Sequence, residues 1–117
     1  MIIETQVDFP AERPKMAIFR IERHLSKRDA INILSKIIRL QRRDYRHFVL
    51  DLRKSQGVSS AGLGMIGYLA KEREAPLPLL TRDEGFKKLF QVAKLERDLL
   101  VGHSEEELFY KLDRMKL

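Results

Sequence analysis

The fold is decided by the stretch HFVLDLRKSQGVSSAGLGMIGYLA, residues 47–70, which joins two different periodicities. Residues 47–52 form a mostly apolar run bounded by charge, a pattern typical of a buried central strand. A polar loop follows, and apolar residues then return at helical spacing as far as Arg73. Because serine is a preferred residue at a helix start, the stretch predicts a buried strand followed by a helix that begins near Ser59 and Ser60.

The same two periodicities recur on both sides of this stretch. Short strands are predicted at residues 2–7, 16–22, 77–80 and 99–101. Three more helices are predicted to begin at capping-box patterns, which are Ser26/Asp29, Thr81/Glu84 and Ser104/Glu107. After the first two strands, strands and helices alternate, which implies crossover connections. We therefore predict one α/β domain with a four- to five-stranded, mixed but mostly parallel sheet and about four helices, in which residues 1–15 form a strand or an arm.

Length and composition fit a single folded domain. Of 117 residues, 44% are hydrophobic and 34% are charged, so the chain can bury one core and lacks the composition of a disordered protein. No window reaches the roughly 18 consecutive apolar residues of a membrane helix, and the N-terminus does not have the pattern of a secretion signal. The absence of cysteine excludes disulfides, thiolate zinc sites and cysteine nucleophiles. We expect a cytoplasmic protein.

The net charge of +6 lies entirely in the first half of the chain. Residues 1–60 carry 13 basic and 7 acidic side chains, whereas residues 61–117 carry 10 of each. The basic residues concentrate in the segment Lys27–Arg46, which could contact an anionic partner such as a nucleic acid. Since no aromatic platform or nucleic-acid motif accompanies the charge, a solvated helix face is the favoured interpretation.

Catalytic and cofactor motifs are weak. Residues 62–67 have the letters of the dinucleotide fingerprint, G-x-G-x-x-G, but nine residues separate the preceding strand from Gly62, so the glycines do not follow the strand directly. Ser59 and Ser60 have no identifiable general base, and no histidine or carboxylate pair has metal-ligand spacing. We therefore predict no cofactor, no metal site and no enzymatic activity.

The serine pair has two interpretations. Ser59 or Ser60 is a helix N-cap, or Ser60 is a phosphate acceptor presented to solvent beside the positive end of the helix dipole. The small residues Ala61, Gly62 and Gly64 would leave the hydroxyl accessible and let a partner approach closely. From spacing alone, the N-cap interpretation is favoured.

These motifs resemble the STAS domain of bacterial anti-sigma factor antagonists. The run Phe48-Val49-Leu50-Asp51-Leu52, followed at the family's separation by Ser59-Ser60-Ala61-Gly62-Leu63-Gly64, is similar to its "VLDL" strand and Asp-Ser-Ser-Gly-Leu-Gly-like turn. Residues 86–95, 99–101 and 104–107 are similar to the family's C-terminal helix, short strand and last helix. The resemblance runs in order from Met16 through most of the remaining chain and implies the STAS fold.

The resemblance also implies a function. The family's phosphorylated serine falls on Ser60, and such proteins bind an anti-sigma factor, often itself a serine kinase, until phosphorylation reverses the binding. A PP2C-like phosphatase restores it. The implied partner surface comprises the turn residues Ser59, Ser60, Ala61, Gly62, Leu63 and Gly64.

Three positions depart from the family pattern. Ser59 stands where the family has aspartate, which leaves Ser59 as a rival phosphate acceptor, Ala61 follows the serine, and Lys94 stands where glycine is frequent. The leading hypothesis is a phosphorylation-switched anti-sigma factor antagonist-like regulator. The alternatives are a STAS scaffold that is not phosphorylated, with only indirect membrane association through a complex, and nucleic-acid binding through the basic first helix.

Overall fold

The computed structural model describes residues 5–73 and 75–115, which form one α/β domain. The elements in chain order are β1 (Gln6–Asp8), β2 (Met16–Arg20), α1 (Lys27–Gln41), β3 (His47–Asp51), α2 (Ser60–Lys71), β4 (Leu77–Leu80), α3 (Glu84–Val92), β5 (Leu99–Gly102) and α4 (Glu105–Arg114). This order confirms the predicted class: one mixed sheet of five strands with four helices.

The strands lie side by side in the order β1-β2-β3-β4-β5, so β3 is central as predicted. β1 pairs antiparallel with β2, and all other neighbours are parallel. The core strands β2, β3 and β4 are buried along nearly their whole length because helices cover both faces of the sheet. Residues of α1, α2 and α3 pack in one cluster, and Leu108 and Leu112 of α4 pack with Ile18 and Val49 in the other.

Strand boundaries differ slightly from the predicted ones. The first strand begins at Gln6 among the described residues, and residues 2–4 of the predicted strand lie outside them. The second strand ends at Arg20 instead of residue 22. Pro78 is tolerated inside β4 because the pairing with β3 begins only at Leu79.

Of the three predicted helix caps, two form at the predicted serine and one forms at a different residue. The Ser26/Asp29 box is complete, with reciprocal side-chain and backbone hydrogen bonds. The prediction that Thr81 caps α3 is wrong: the N-cap is Asp83, whose carboxylate accepts from the Gly85 N–H at 2.7 Å. At α4, Ser104 caps as predicted.

A Schellman motif ends α3 with a lysine in the left-handed conformation. Lys94 has φ of 59°, and the backbone N–H groups of Lys94 and Leu95 donate to Gln91 and Phe90. This geometry explains why glycine would be favoured at the position, since a side chain there costs about 1–2 kcal/mol.

Lys94→Gly should therefore raise the free energy of unfolding, by about 1 kcal/mol after the greater flexibility of unfolded glycine is subtracted. Urea unfolding followed by circular dichroism measures this change, and Lys88→Gly in the same helix is the control. We expect Lys88→Gly to destabilise by about 1 kcal/mol, since its site is helical. A loss of stability in Lys94→Gly would contradict the argument.

Candidate functional site

The serine turn lies at the carboxyl end of the parallel strands, where α2 begins. Val58 forms a parallel β-bridge with Leu25, and the Ser59 N–H donates to the Leu25 carbonyl at 2.9 Å. The Leu25 N–H in turn donates to the Gly57 carbonyl at 2.8 Å. These bonds hold residues 57–59, which lead into α2, against Leu25, which precedes α1.

The two serines have different roles. Ser59 is the N-cap of α2: its hydroxyl oxygen accepts from the Gly62 N–H at 3.0 Å, and its carbonyl accepts from the Leu63 N–H at 2.8 Å. Ser60 is the first helical residue and is exposed. No hydrogen bond to the Ser60 hydroxyl occurs within the described part of the chain. The sequence alone left the cap undecided between these residues, and the structure assigns it to Ser59.

Helical spacing extends the exposed surface beyond the predicted turn. Ser60, Gly64 and Tyr68 stand four residues apart along α2 and are all exposed, with Tyr68 at 59%. We call these three residues the α2 face. The sequence analysis missed Tyr68, although its spacing from Ser60 and Gly64 carried the signal.

The remaining turn residues are less accessible. Gly62 is buried, whereas Ala61 and Leu63 are half-buried, and Leu63 packs against the main core cluster. A Cβ at Gly62 would lie 2.8 Å from the Leu25 carbonyl oxygen and 2.9 Å from Val58 Cγ1. The absence of a side chain at Gly62 therefore permits close packing of α2 on the Leu25–Val58 bridge.

Gly62 and Gly64 should respond in opposite ways to alanine. Gly62→Ala forces a backbone shift at Leu25 and should destabilise the protein by about 1–3 kcal/mol. Gly64→Ala enters open space in a helix and should stabilise it by about 0.5–1 kcal/mol. Urea unfolding by circular dichroism compares the two; equal effects would contradict the packing argument.

A cluster of charged side chains that sequence analysis did not find lies at the same end of the sheet. Asp51, the last residue of β3, bonds to Arg53 at 3.0 Å and to Arg20 at 2.9 Å, and its side chain is 9% exposed. Both arginines also reach Glu105 at the start of α4, at 3.2 and 3.3 Å, and Arg20 pairs with Asp8 of β1. The cluster joins three strands to the last helix.

The electrostatics of this cluster stabilise the ionised carboxylate. Burial raises the pKa of Asp51, but hydrogen bonds and charges from Arg53 and Arg20 outweigh burial and hold that pKa below its usual range. The pKa of Asp29 in the α1 capping box is also lowered, since bonds from Arg23 and Ser26 outweigh the effect of burial.

These lowered pKa values predict acid sensitivity. A carboxylate with a depressed pKa in the folded state contributes stability above its unfolded pKa, about 3.9, and this stability is lost as the pH falls through the folded pKa. We expect the urea midpoint to fall progressively below about pH 4, and to fall less steeply in Asp51→Asn. Identical pH dependence in the two proteins would contradict the assignment to Asp51.

The basic segment forms the outer side of α1 and the turn after it. Lys27, Arg28, Arg39, Arg42 and Arg43 are exposed, and none forms a salt bridge within the described residues. Ile31 and Ile38 are also exposed on this helix. The buried apolar side of α1 consists of Ala30, Ile33, Ile37 and Leu40.

The residues of the other candidate sites, for a dinucleotide, a general base or a metal, do not come together in the described part of the chain. The three glycines of residues 62–67 lie inside α2 and not at a strand-to-helix turn. His24 lies against Gly57, and His103 contacts Glu107 and Lys87. Among residues 5–73 and 75–115 there is no cluster of three potential metal ligands. Within those same ranges, no helix has the length and apolarity needed to span a membrane.

Comparisons with known proteins agree with this fold. The STAS domain family matches residues 10–110, and the chain belongs to this family. Among solved structures, the chain is similar to the anti-sigma factor antagonist SpoIIAA in its unphosphorylated form, with a TM-score of 0.71 and 17% identity over 96% of this chain and 97% of that one. A comparison with curated protein sequences gives no significant match. The chain thus has an anti-sigma factor antagonist-like fold.

Proposed function

We propose that this protein is a regulator that binds an anti-sigma factor with serine kinase activity, and that phosphorylation of Ser60 switches the binding off. The observation that carries this proposal is the division between the two serines. The Ser59 hydroxyl is engaged in the α2 cap, whereas the Ser60 hydroxyl is exposed and has no described partner. A PP2C-like phosphatase would return the chain to its binding-competent state.

Ser59 can serve as N-cap in the same way as the aspartate that the family pattern has at this position. Aspartate and serine are comparable N-caps, so the substitution preserves the start of α2 and the presentation of the next residue. A hydroxyl that already accepts from Gly62 N–H is a poorer acceptor for phosphate, because modification would disturb the cap. We therefore place the modification at Ser60, with Ser59 as the alternative.

The fold tolerates a phosphate on Ser60. A phosphoserine carries about −1.5 to −2 charges, and the first turn of α2 offers unpaired backbone N–H groups and the positive end of the helix dipole. The same charge opposes a closely packed protein contact through repulsion and desolvation. One modification can thus leave the domain folded while it weakens the complex.

The partner surface that we propose is the serine turn together with the α2 face. Of the turn residues, Ser60 and Gly64 are exposed, and Ala61 and Leu63 are accessible in part. Gly64 has no heavy atom within 4 Å of an added Cβ, so a partner backbone can approach there. Ser59 and Gly62 contribute by fixing the turn, and Tyr68 adds an aromatic anchor.

A labelling experiment tests this proposal. The purified protein is incubated with a lysate of its host and radiolabelled ATP, alongside Ser60→Ala and Ser59→Asn, which keeps an N-cap but removes the hydroxyl. We expect label in the wild type and in Ser59→Asn, and none in Ser60→Ala. Label that persists in Ser60→Ala but disappears in Ser59→Asn moves the acceptor to Ser59. The absence of label from all three proteins favours a scaffold that is not phosphorylated.

A further inference from the structure

A cleft at the amino end of the sheet is lined by basic side chains and, among the described lining residues, by no acidic one. It has a volume of about 320 Å³, and its polar lining consists of Arg46, His47 and Arg73. The apolar wall includes Pro76, Pro78 and Leu112. Its volume lies at the lower end of the range for small-molecule sites.

Arg73 is the most unusual member of this cleft. Its Nε is buried and has no hydrogen-bond partner, and one terminal nitrogen donates to the Arg46 carbonyl at 3.0 Å. No carboxylate of the described residues forms a salt bridge with Arg73. Burial lowers the pKa of this guanidinium. Arg73 is half-buried as a residue, and its guanidinium lies 5.8 Å from the centre of the Phe48 ring. A partly desolvated cation with no ion pair among the described residues favours contact with an anion.

The neighbouring groups are also cationic or neutral. Burial lowers the pKa of His47, and the charges of Arg73, Arg13 and Arg46 lower it further. Arg13 is paired with Asp113, and Arg46 lies 3.6 Å from Asp44. The side chains of Asp113 and Asp44 are both largely exposed. The excess positive charge inside the cleft is therefore that of Arg73, supplemented by Arg46 at its mouth.

We propose that this cleft binds a small phosphate monoester. A guanidinium recognises phosphate oxygens through paired N–H donors, and a monoester carries nearly two negative charges, which match the two arginines. His47 can add one ring N–H as a further donor. The apolar wall formed by Pro76, Pro78 and Leu112 suits a compact hydrophobic body attached to the phosphate.

This site is separate from the serine turn. α2 has 12 residues and runs from Ser60 to Lys71, so its two ends lie about 18 Å apart. The cleft begins just beyond the C-terminal end of α2, at Arg73. The proposal therefore does not depend on phosphorylation of Ser60.

The test uses the full chain and two probes, inorganic phosphate and phenyl phosphate, in an NMR titration of backbone amides and the His47 ring. We expect saturable shifts at His47 and Leu112, with phenyl phosphate binding several-fold more tightly than inorganic phosphate. Arg73→Met should weaken binding at least tenfold. Arg46→Gln, at an exposed position that does not threaten folding, should weaken it by a smaller factor.

A matched control distinguishes binding in this cleft from nonspecific attraction to the protein's positive charge. Arg28→Gln removes the same charge from the exposed start of α1 and should leave binding unchanged. Equal weakening in Arg28→Gln and Arg73→Met, or the absence of saturable shifts with both probes, would overturn the proposal. Pelleting with phosphatidate vesicles distinguishes the sources of the phosphate: Arg73-dependent pelleting assigns it to a lipid headgroup, and solution binding without pelleting assigns it to a free ester.

Discussion

Replacing Asp51 by asparagine should lower the free energy of unfolding by about 3–5 kcal/mol, the largest single effect we expect on stability. The substitution keeps the size of the side chain but removes the charge that both Arg20 and Arg53 approach. These arginines are about 20% exposed, and without the Asp51 charge they share the carboxylate of Glu105, with Asp8 as a further partner of Arg20 alone. Breaking a buried pair from one side is costly because the remaining charge is less well compensated.

Asp113→Asn is the matched control for Asp51→Asn. Asp113 also pairs with an arginine, Arg13, at 2.8 Å, but its side chain is 64% exposed. Exposed pairs contribute about 0–1 kcal/mol, so this variant should differ little from the wild type. Urea unfolding followed by circular dichroism suits a protein with no tryptophan. A change of less than about 1 kcal/mol in Asp51→Asn would show that Glu105 alone satisfies the arginines.

The Asp51 cluster also bears on the candidate site. Asp51 ends β3, and its carboxylate accepts from the Arg53 N–H at 3.1 Å, so it fixes the first residues of the loop that leads to Ser59. The same carboxylate reaches Arg20, which is also bonded to β1 and α4. Loosening this cluster should therefore increase hydrogen exchange in the serine turn before it does so in the central sheet.

Replacing Ser60 by aspartate should weaken partner binding about a hundredfold, the largest effect that we expect on function. The variant places a permanent negative charge on the α2 face, where a partner would pack closely against Gly64. The stability of the domain should change little, since an acidic residue in the first turn interacts favourably with the helix dipole. Titration calorimetry with the purified partner measures the affinity.

Ser59→Asp is the control for this charge. It adds the same charge one residue earlier, but aspartate at an N-cap accepts from the backbone of α2 and remains in the cap. We expect its affinity to fall less than that of Ser60→Asp. Unchanged affinity in both variants would place the turn outside the interface. A larger loss in Ser59→Asp would assign the switch to Ser59.

Sequence periodicity was sufficient for most of the fold because each element had its own local signal. The apolar run at residues 47–52 and the Ser26/Asp29 pattern depend on neighbouring residues only, and both predictions are confirmed. The prediction that Thr81 caps α3 was wrong because Asp83, two residues later, is a stronger N-cap, although only Thr81 has a glutamate three residues after it. A similar ambiguity between two candidate caps applied to Ser59 and Ser60, which packing against Leu25 resolved.

The charged groups were not predictable from local patterns. Arg20 bonds to both Asp51 and Glu105, which lie 31 and 85 residues further along the chain. Only the parallel pairing of β2 with β3 and the placement of α4 bring them together. Arg73 likewise looked like an ordinary charged residue at a helix end, and its burial follows from the turn that returns the chain to β4. Contacts of this kind require the tertiary structure.

The most direct test of the central claim is phosphopeptide mass spectrometry of the protein purified from its own host under several growth conditions. Cleavage after Lys54 and Lys71 releases residues 55–71, a peptide that contains both Ser59 and Ser60, and fragmentation between them assigns the phosphate. Our account predicts phosphate on Ser60 at an occupancy that changes with growth condition. A fully covered peptide that is never modified would contradict a phosphorylation switch, and phosphate confined to Ser59 would contradict its assignment to Ser60.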